Sequence, residues 1–180
     1  MLEGRRQILL GGALGLGATA ILPAGAVAEG TDEVSRTAES IHQERFFKAT
    51  RRRVYPALTV QQQFDQVARM SAAMQSAGMA RSPRRSEIVQ HVGGAFALFG
   101  AYITGRQIEL VPDELIVQAW RVGSWDPGVY SLARFKLLDT DGTRLIFDHT
   151  GFPTGQGEHL ADGWQANYWT PLEKFLAGAS

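Results

Sequence analysis

His149 is the residue in this chain best placed to do chemistry. It closes the run Thr143–Thr150, where Thr143, Leu145, Phe147 and His149 alternate onto one face and Arg144 and Asp148 onto the other. An imidazole on the covered face of a strand can contact a ligand, act as a general acid or base, or simply be hydrogen-bonded at the strand end. No nucleophile or carboxylate stands at a spacing that would complete a catalytic set with it. The Gly-x-Ser-x-Gly elbow of serine hydrolases is absent. The chain has no cysteine, which excludes disulfides and thiolate metal sites, and His42, His91 and His159 fall on separate elements at no metal-like spacing, so no zinc site is expected. No cofactor is called for.

Large aromatics are the second candidate set. Trp120, Trp125, Trp164, Tyr168 and Trp169 can line a cavity for an apolar or ring-shaped ligand, or fill a core. The expected ligand-facing residues are Phe135, Leu145, Phe147 and His149 from the strands, with Trp120, Trp164 and Tyr168. Arg51-Arg52-Arg53 and Arg84-Arg85 are basic, but 18 basic residues balance 18 acidic ones and no aromatics alternate with the arginines. That balance gives no electrostatic case for nucleic acid or an anionic membrane, and a solvated face is the expected role.

The elements that must position these groups follow from periodicity. Ile41–Ala49 reads as a strand with interleaved charges. Thr50 can cap a short helix containing Val54, Ala57 and Leu58, which Pro56 must kink or shorten. Val60, Phe64, Val67, Ser71 and Met74 recur at helical spacing, predicting one amphipathic helix over 60–77 ended by Gly78, then a basic loop over 79–86. The second half turns to strands: Ala95–Phe99, Ala101–Leu110, Leu115–Arg121, Tyr130–Leu138 and Thr143–Thr150. Short turns such as Asp141-Gly142 separate them, which favours antiparallel pairing. Ser131, Ala133, Phe135 and Leu137 share one face of their strand. That apolar face needs a cover, and Trp164, Tyr168, Leu172 and Phe175 supply one on a helix from Asp162 to about Ala177, bent at Pro171 after a polar loop over 153–159. The class is α+β: a curved antiparallel sheet of about six strands gripping a long C-terminal helix, with two helices after the first strand.

Residues 1–28 have the layout of a twin-arginine export signal. Arg5 and Arg6 form the basic start, Ile8–Leu22 is uncharged and weakly apolar, and Ala26 and Ala28 offer the small side chains a signal peptidase reads. As a helix the apolar run spans roughly 22 Å, short of the ~30 Å hydrocarbon core, so no stable membrane anchor is expected after cleavage; a retained anchor is the alternative. Gly15–Ala20 imitates a dinucleotide fingerprint but has no strand before it. The expected organisation is a signal over 1–28, a flexible spacer over 29–39 and one domain over 40–180, working in the bacterial periplasm or outside the cell.

The order of elements resembles the helix-grip superfamily of START, polyketide-cyclase and pollen-allergen domains (SRPBCC). The nearest likeness is to the branch named after the activator of heat-shock protein 90 ATPase. It is carried by FKATRRRVYPALT (47–59), GGAFALFGAYITGRQIELVPDELIVQAWR (93–121), YSLARFKLLDTDGTRLIFDHTGFP (130–153) and GWQANYWTPLEKFL (163–176). Helix 60–77 and loop 79–86 depart from it, standing where many relatives have a tryptophan-bearing stretch. The resemblance implies an apolar cavity between sheet and last helix and no catalytic residue set. Three functions stay open: an exported binder of an apolar small molecule, a cyclase- or hydrolase-like enzyme using His149, and a protein-interaction module. A co-chaperone of a cytosolic ATPase would find no such partner outside the inner membrane.

Overall fold

The computed structural model describes residues 38–76 and 85–178. Gly78, residues 79–84 of the basic loop, and the signal and spacer up to residue 37 lie outside the described residues.

One antiparallel sheet runs in the order β1-β7-β6-β5-β4-β3-β2. Its strands are β1 (Ala38–Phe47), β2 (Glu87–Ile88), β3 (Ala95–Leu98), β4 (Ile103–Val111), β5 (Leu115–Val122), β6 (Ser131–Thr140) and β7 (Gly142–Pro153). Seven strands replace the expected six because the two-residue β2 is too short to show a period. Helices α1 (Arg51–Thr59), α2 (Gln61–Arg69) and α3 (Ala72–Gln75) follow β1. The chain ends on one continuous helical run: α4 (Gly157–Trp164), a π turn (Gln165–Trp169) and α5 (Thr170–Gly178).

The strand periodicity translates directly into packing. Ser131, Ala133, Phe135 and Leu137 on β6 and Thr143, Leu145, Phe147 and His149 on β7 are all buried, while Arg134 and Arg144 face outward. On the outer face Arg144 holds Glu44 through contacts of 2.8 Å and 3.0 Å, and His42 meets Asp148 at 2.7 Å. Gly142 makes the tight β6–β7 turn at φ +126°, and a Cβ there would stand 2.4 Å from the Phe47 carbonyl, so no other residue fits without a shift.

Three boundaries differ from expectation, each for a long-range reason. β1 starts at Ala38, inside the predicted spacer, and stops at Phe47, because Ala38, Glu39 and Ser40 pair with Pro153, Phe152 and Thr150. Gly151 (φ +79°) is the extra residue of a bulge at that point. The inward face consequently switches from odd to even numbers, and Phe152 joins the core fully buried. The predicted helix 60–77 is instead α2 and α3, broken at Met70-Ser71. Ser71 is extended, its hydroxyl accepts from the Met74 amide at 3.2 Å, and Asn167 Oδ1 takes the Ala73 amide at 2.8 Å. A buried serine at helical spacing is here a cap rather than part of an apolar stripe. Thr50 precedes α1 as its N-cap residue, but its side chain makes no capping bond.

The long helix begins at Gly157 and not at Asp162. Gln156 makes no side-chain cap; the amides of Gly155 and Gly157 are taken by the Glu39 carboxylate at 2.7 Å and 2.9 Å. An anion at a helix N-terminus also meets the positive end of its dipole. The expected bend at Pro171 takes the form of the π turn just before it. Proline crowds the carbonyl four residues back, here that of Asn167, and the widened turn closes with Thr170 N–H on Gln165 O. One consequence decides the core. The extra residue in the turn lets neighbours Tyr168 and Trp169 both point inward, and the buried face then continues through Leu172 to Leu176, with Phe175 only half-buried.

Candidate functional site

The packed interior beneath the helix is an aromatic cluster centred on Phe147. Its ring lies 4.3 Å from that of Trp164 and 5.0 Å from those of Phe135 and Trp169, centroid to centroid. Phe147 and Leu145 are fully buried and Phe135 almost so. These side chains reach the cluster by strand alternation on β6 and β7, and the helix closes over them.

His149 sits at the edge of this cluster in a one-way chain of hydrogen bonds. The Trp164 indole Nε1–H donates to His149 Nδ1 at 3.0 Å. An indole N–H can only donate, so Nδ1 must carry the lone pair and the neutral ring must hold its proton on Nε2. That proton goes to Ser131 Oγ at 2.7 Å, and the Ser131 hydroxyl donates in turn to the Trp120 carbonyl at 3.0 Å. The links come from α4, β7, β6 and β5, so the chain ties helix to sheet across four elements. Burial lowers the His149 pKa to about 3, which keeps the ring neutral at ordinary pH. Both ring nitrogens are committed, and neither is free to move a substrate's proton. Gln43 makes a second tie: its Oε1 accepts from Trp169 Nε1 at 2.6 Å and its Nε2 donates to the Ala161 carbonyl at 3.3 Å.

Next to this interior lies a pocket of about 230 Å³ between β4, β5 and the long helix. Ile103, Trp120 and Val122 form its sheet wall, Leu160, Gly163, Trp164 and Tyr168 its helix wall, and Phe99, with Ala73 of α3, narrows it. Tyr102, His159 and Asn167 border it as well. A Cβ added at Gly163 would meet no atom within 4 Å. Of the residues expected to face a ligand, Trp120, Trp164 and Tyr168 line this pocket. Phe135, Leu145, Phe147 and His149 do not; they lie in the close-packed interior beside it. Sequence reasoning missed Ile103, Val122, Leu160 and Gly163. Two of these had a signal: Val122 is two residues past Trp120, and Leu160 is one helical turn before Trp164.

Two of the basic candidates, Arg51 and Arg53, have local structural work. Arg51 reaches Glu114 and Asp139, each at 3.5 Å, and Arg53 donates to the Leu176 carbonyl at 3.2 Å, so these arginines hold α1 to its neighbours. Among the described residues no group of three His, Cys, Asp or Glu side chains could hold a metal ion. No described helix is long and apolar enough to cross a membrane.

Comparison with known proteins agrees with this architecture. Residues 48–177 match the family model described as Activator of Hsp90 ATPase homolog 1-like protein. The chain is similar to the human activator of 90 kDa heat shock protein ATPase homolog 1, 30% identical over 83 residues, covering 46% of this chain and 25% of that protein. It is 36% identical to the Dictyostelium discoideum homolog over 78 residues, covering 42% of this chain and 20% of that one. The chain thus spans about a quarter or less of the length of these curated relatives. Among solved structures it resembles an Hsp90 activator from Plasmodium falciparum, with TM-score 0.63 and 22% identity over 78% of this chain and 96% of that one. A Mesorhizobium loti protein aligns with TM-score 0.60 and 19% identity over 79% and 99% of the two chains. At such identities the structural likeness speaks for the helix-grip fold alone, whereas the family match extends over most of the chain. This chain belongs to the Activator of Hsp90 ATPase homolog 1-like family and has the helix-grip fold.

Proposed function

We propose that this protein is a small binding domain that takes an apolar small molecule into the pocket between β4, β5 and the long helix. The observation that carries the reading is the pocket itself. A space of about 230 Å³ stays open beside an interior whose aromatics are in ring contact, and its walls are mainly apolar. The space is a partly open cleft, and an apolar concavity between sheet and helix is a common form of small-molecule site. The commitment of both His149 nitrogens weighs against an enzyme that uses this residue. A protein-interaction role is the second reading, favoured by the names of the relatives. The layout of residues 1–28 supports export by the twin-arginine route, with the domain working in the periplasm or outside the cell.

Gly163→Leu tests the pocket. Leucine is a better helix former than glycine, and its side chain would project from a wall position with free space around it. Wild type should bind an apolar fluorophore such as 1-anilinonaphthalene in titration, and the variant should fold but bind at least tenfold more weakly. Equal binding by both proteins would move the ligand elsewhere. No binding by wild type would leave the interaction reading.

A further inference from the structure

Phe99 stands between two cavities. It lines the pocket between β4, β5 and the long helix, and it also lines a second hollow of about 310 Å³ against α2 and α3, whose wall includes Ala68, Arg69 and Met74. Among the described residues no other borders both of these spaces.

Its backbone is the second observation. Phe99 has φ +50°, and Gly100 and Ala101 follow at +70°. Strands β3 and β4 pair as far as Leu98 and Ile103, so the connection is residues 99–102, in which the Tyr102 amide donates to the Phe99 carbonyl at 3.3 Å. Positive φ belongs at the two central residues of a tight hairpin turn, here Gly100 and Ala101. Phe99 lies outside that pair, and a bulky side chain in the left-handed region is sterically costly, whereas glycine would sit there without strain. What phenylalanine supplies is a ring in a particular place. That ring is buried, edge-on to Phe64 of α2 at 5.9 Å and to Tyr168 of the long helix at 5.5 Å. Tyr168 is itself a wall of the pocket, so the Phe99 ring reaches from the β3–β4 turn to the helix wall. Size is the third observation. The pocket, at about 230 Å³, is below the roughly 300–1,000 Å³ of drug-sized sites, and the hollow on the other side of Phe99 is larger than the pocket. On that side the pocket is bounded by one ring with further space behind it.

We infer that Phe99 determines specificity: its ring is a stop that fits the pocket to compact, ring-shaped apolar ligands and turns away long chains. This rests on the apolar-pocket reading above and adds the shape of the ligand to it. The left-handed backbone at residue 99 is retained because it keeps the ring between the two spaces.

The test measures displacement of 1-anilinonaphthalene from the full chain by the straight 1-alkanols from hexanol to dodecanol. Affinity for such a chain rises about fourfold with each methylene that is buried and levels off once the chain outgrows its site. Wild type should level off by decanol. Phe99→Gly removes the ring and leaves a residue that adopts positive φ freely. Its plateau should lie at least two methylenes further on, so that dodecanol binds it at least about tenfold more tightly than wild type. Phe99→Leu keeps an apolar side chain of shorter reach in the core and should shift the plateau by at least one methylene; it decides the matter if the glycine variant does not bind the fluorophore. If the variant levels off at the same chain length as wild type, or wild type does not level off at all, Phe99 is not the stop, while the apolar pocket stands. If wild type binds neither the fluorophore nor any alcohol, the pocket reading itself fails.

Discussion

The Glu39 carboxylate on β1 accepts the amide of Gly157 at 2.9 Å, and so starts the long helix from a strand 118 residues earlier in the chain. Its other oxygen takes the Gly155 amide. The helix thus has its N-terminal cap in the sheet it covers. Glu39→Ala should cost about 0.5–2 kcal/mol, the usual loss for a cap, and Glu39→Gln less, because one amide oxygen remains. Hydrogen exchange should quicken first at Gly155 and Gly157. Unchanged exchange there would show that the loop is held by other contacts.

Phe147→Ala should cost about 3–5 kcal/mol in chemical denaturation, the full value for a close-packed phenylalanine. Its ring contacts with Trp164, Phe135 and Trp169 leave it no open side. A cost near 1 kcal/mol would mean that the pocket extends beneath the helix as far as β7.

Two histidines should titrate on opposite sides of 6.5 by NMR. His42 is raised above 6.5, chiefly by its hydrogen bond to Asp148, so its contribution is present below pH 6.5 and fades as pH rises through the raised value. His149 is lowered from 6.5 to about 3 by burial. Its folded form refuses a proton that the unfolded chain accepts, so stability is complete above pH 6.5 and falls on acidification toward pH 3. The slope is about 1.4 kcal/mol per pH unit for one such group. His149→Gln should flatten this part of the pH–stability curve. The same curve in wild type and variant would show that carboxylates dominate it.

Gly163→Ala should raise stability by about 0.5–1 kcal/mol, since the helix gains propensity and the added methyl meets open space. A destabilised variant would mean that the wall at Gly163 is closed in solution.

Changing Arg5 and Arg6 together to Lys should leave precursor in the cytoplasm, while wild-type protein recovered outside the inner membrane should begin at Glu29. Mass spectrometry of the two fractions checks both. Unchanged export of the double variant would argue against the twin-arginine route.

Much of the fold was legible in residue types and their periods. Alternation in β6 and β7 identified the buried face, the turn at Asp141-Gly142 implied antiparallel pairing, and the spacing of Trp164, Tyr168 and Leu172 marked the covering helix. Those signals are local, because burial on one face imposes a period on the sequence whatever lies opposite. Tertiary structure decided the rest. A period cannot report that Glu39 caps a helix begun far along the chain, that Gly151 shifts the inward face to Phe152, or that a π turn before Pro171 lets Tyr168 and Trp169 both turn inward. Nor can it separate a packed aromatic from one on a cavity wall. Phe147 and Tyr168 are both large, both buried and both in ring contact with Trp164, at 4.3 Å and 4.2 Å, yet only Tyr168 also borders the pocket. That difference is set by how far apart sheet and helix are held at each point, which depends on every contact between them at once.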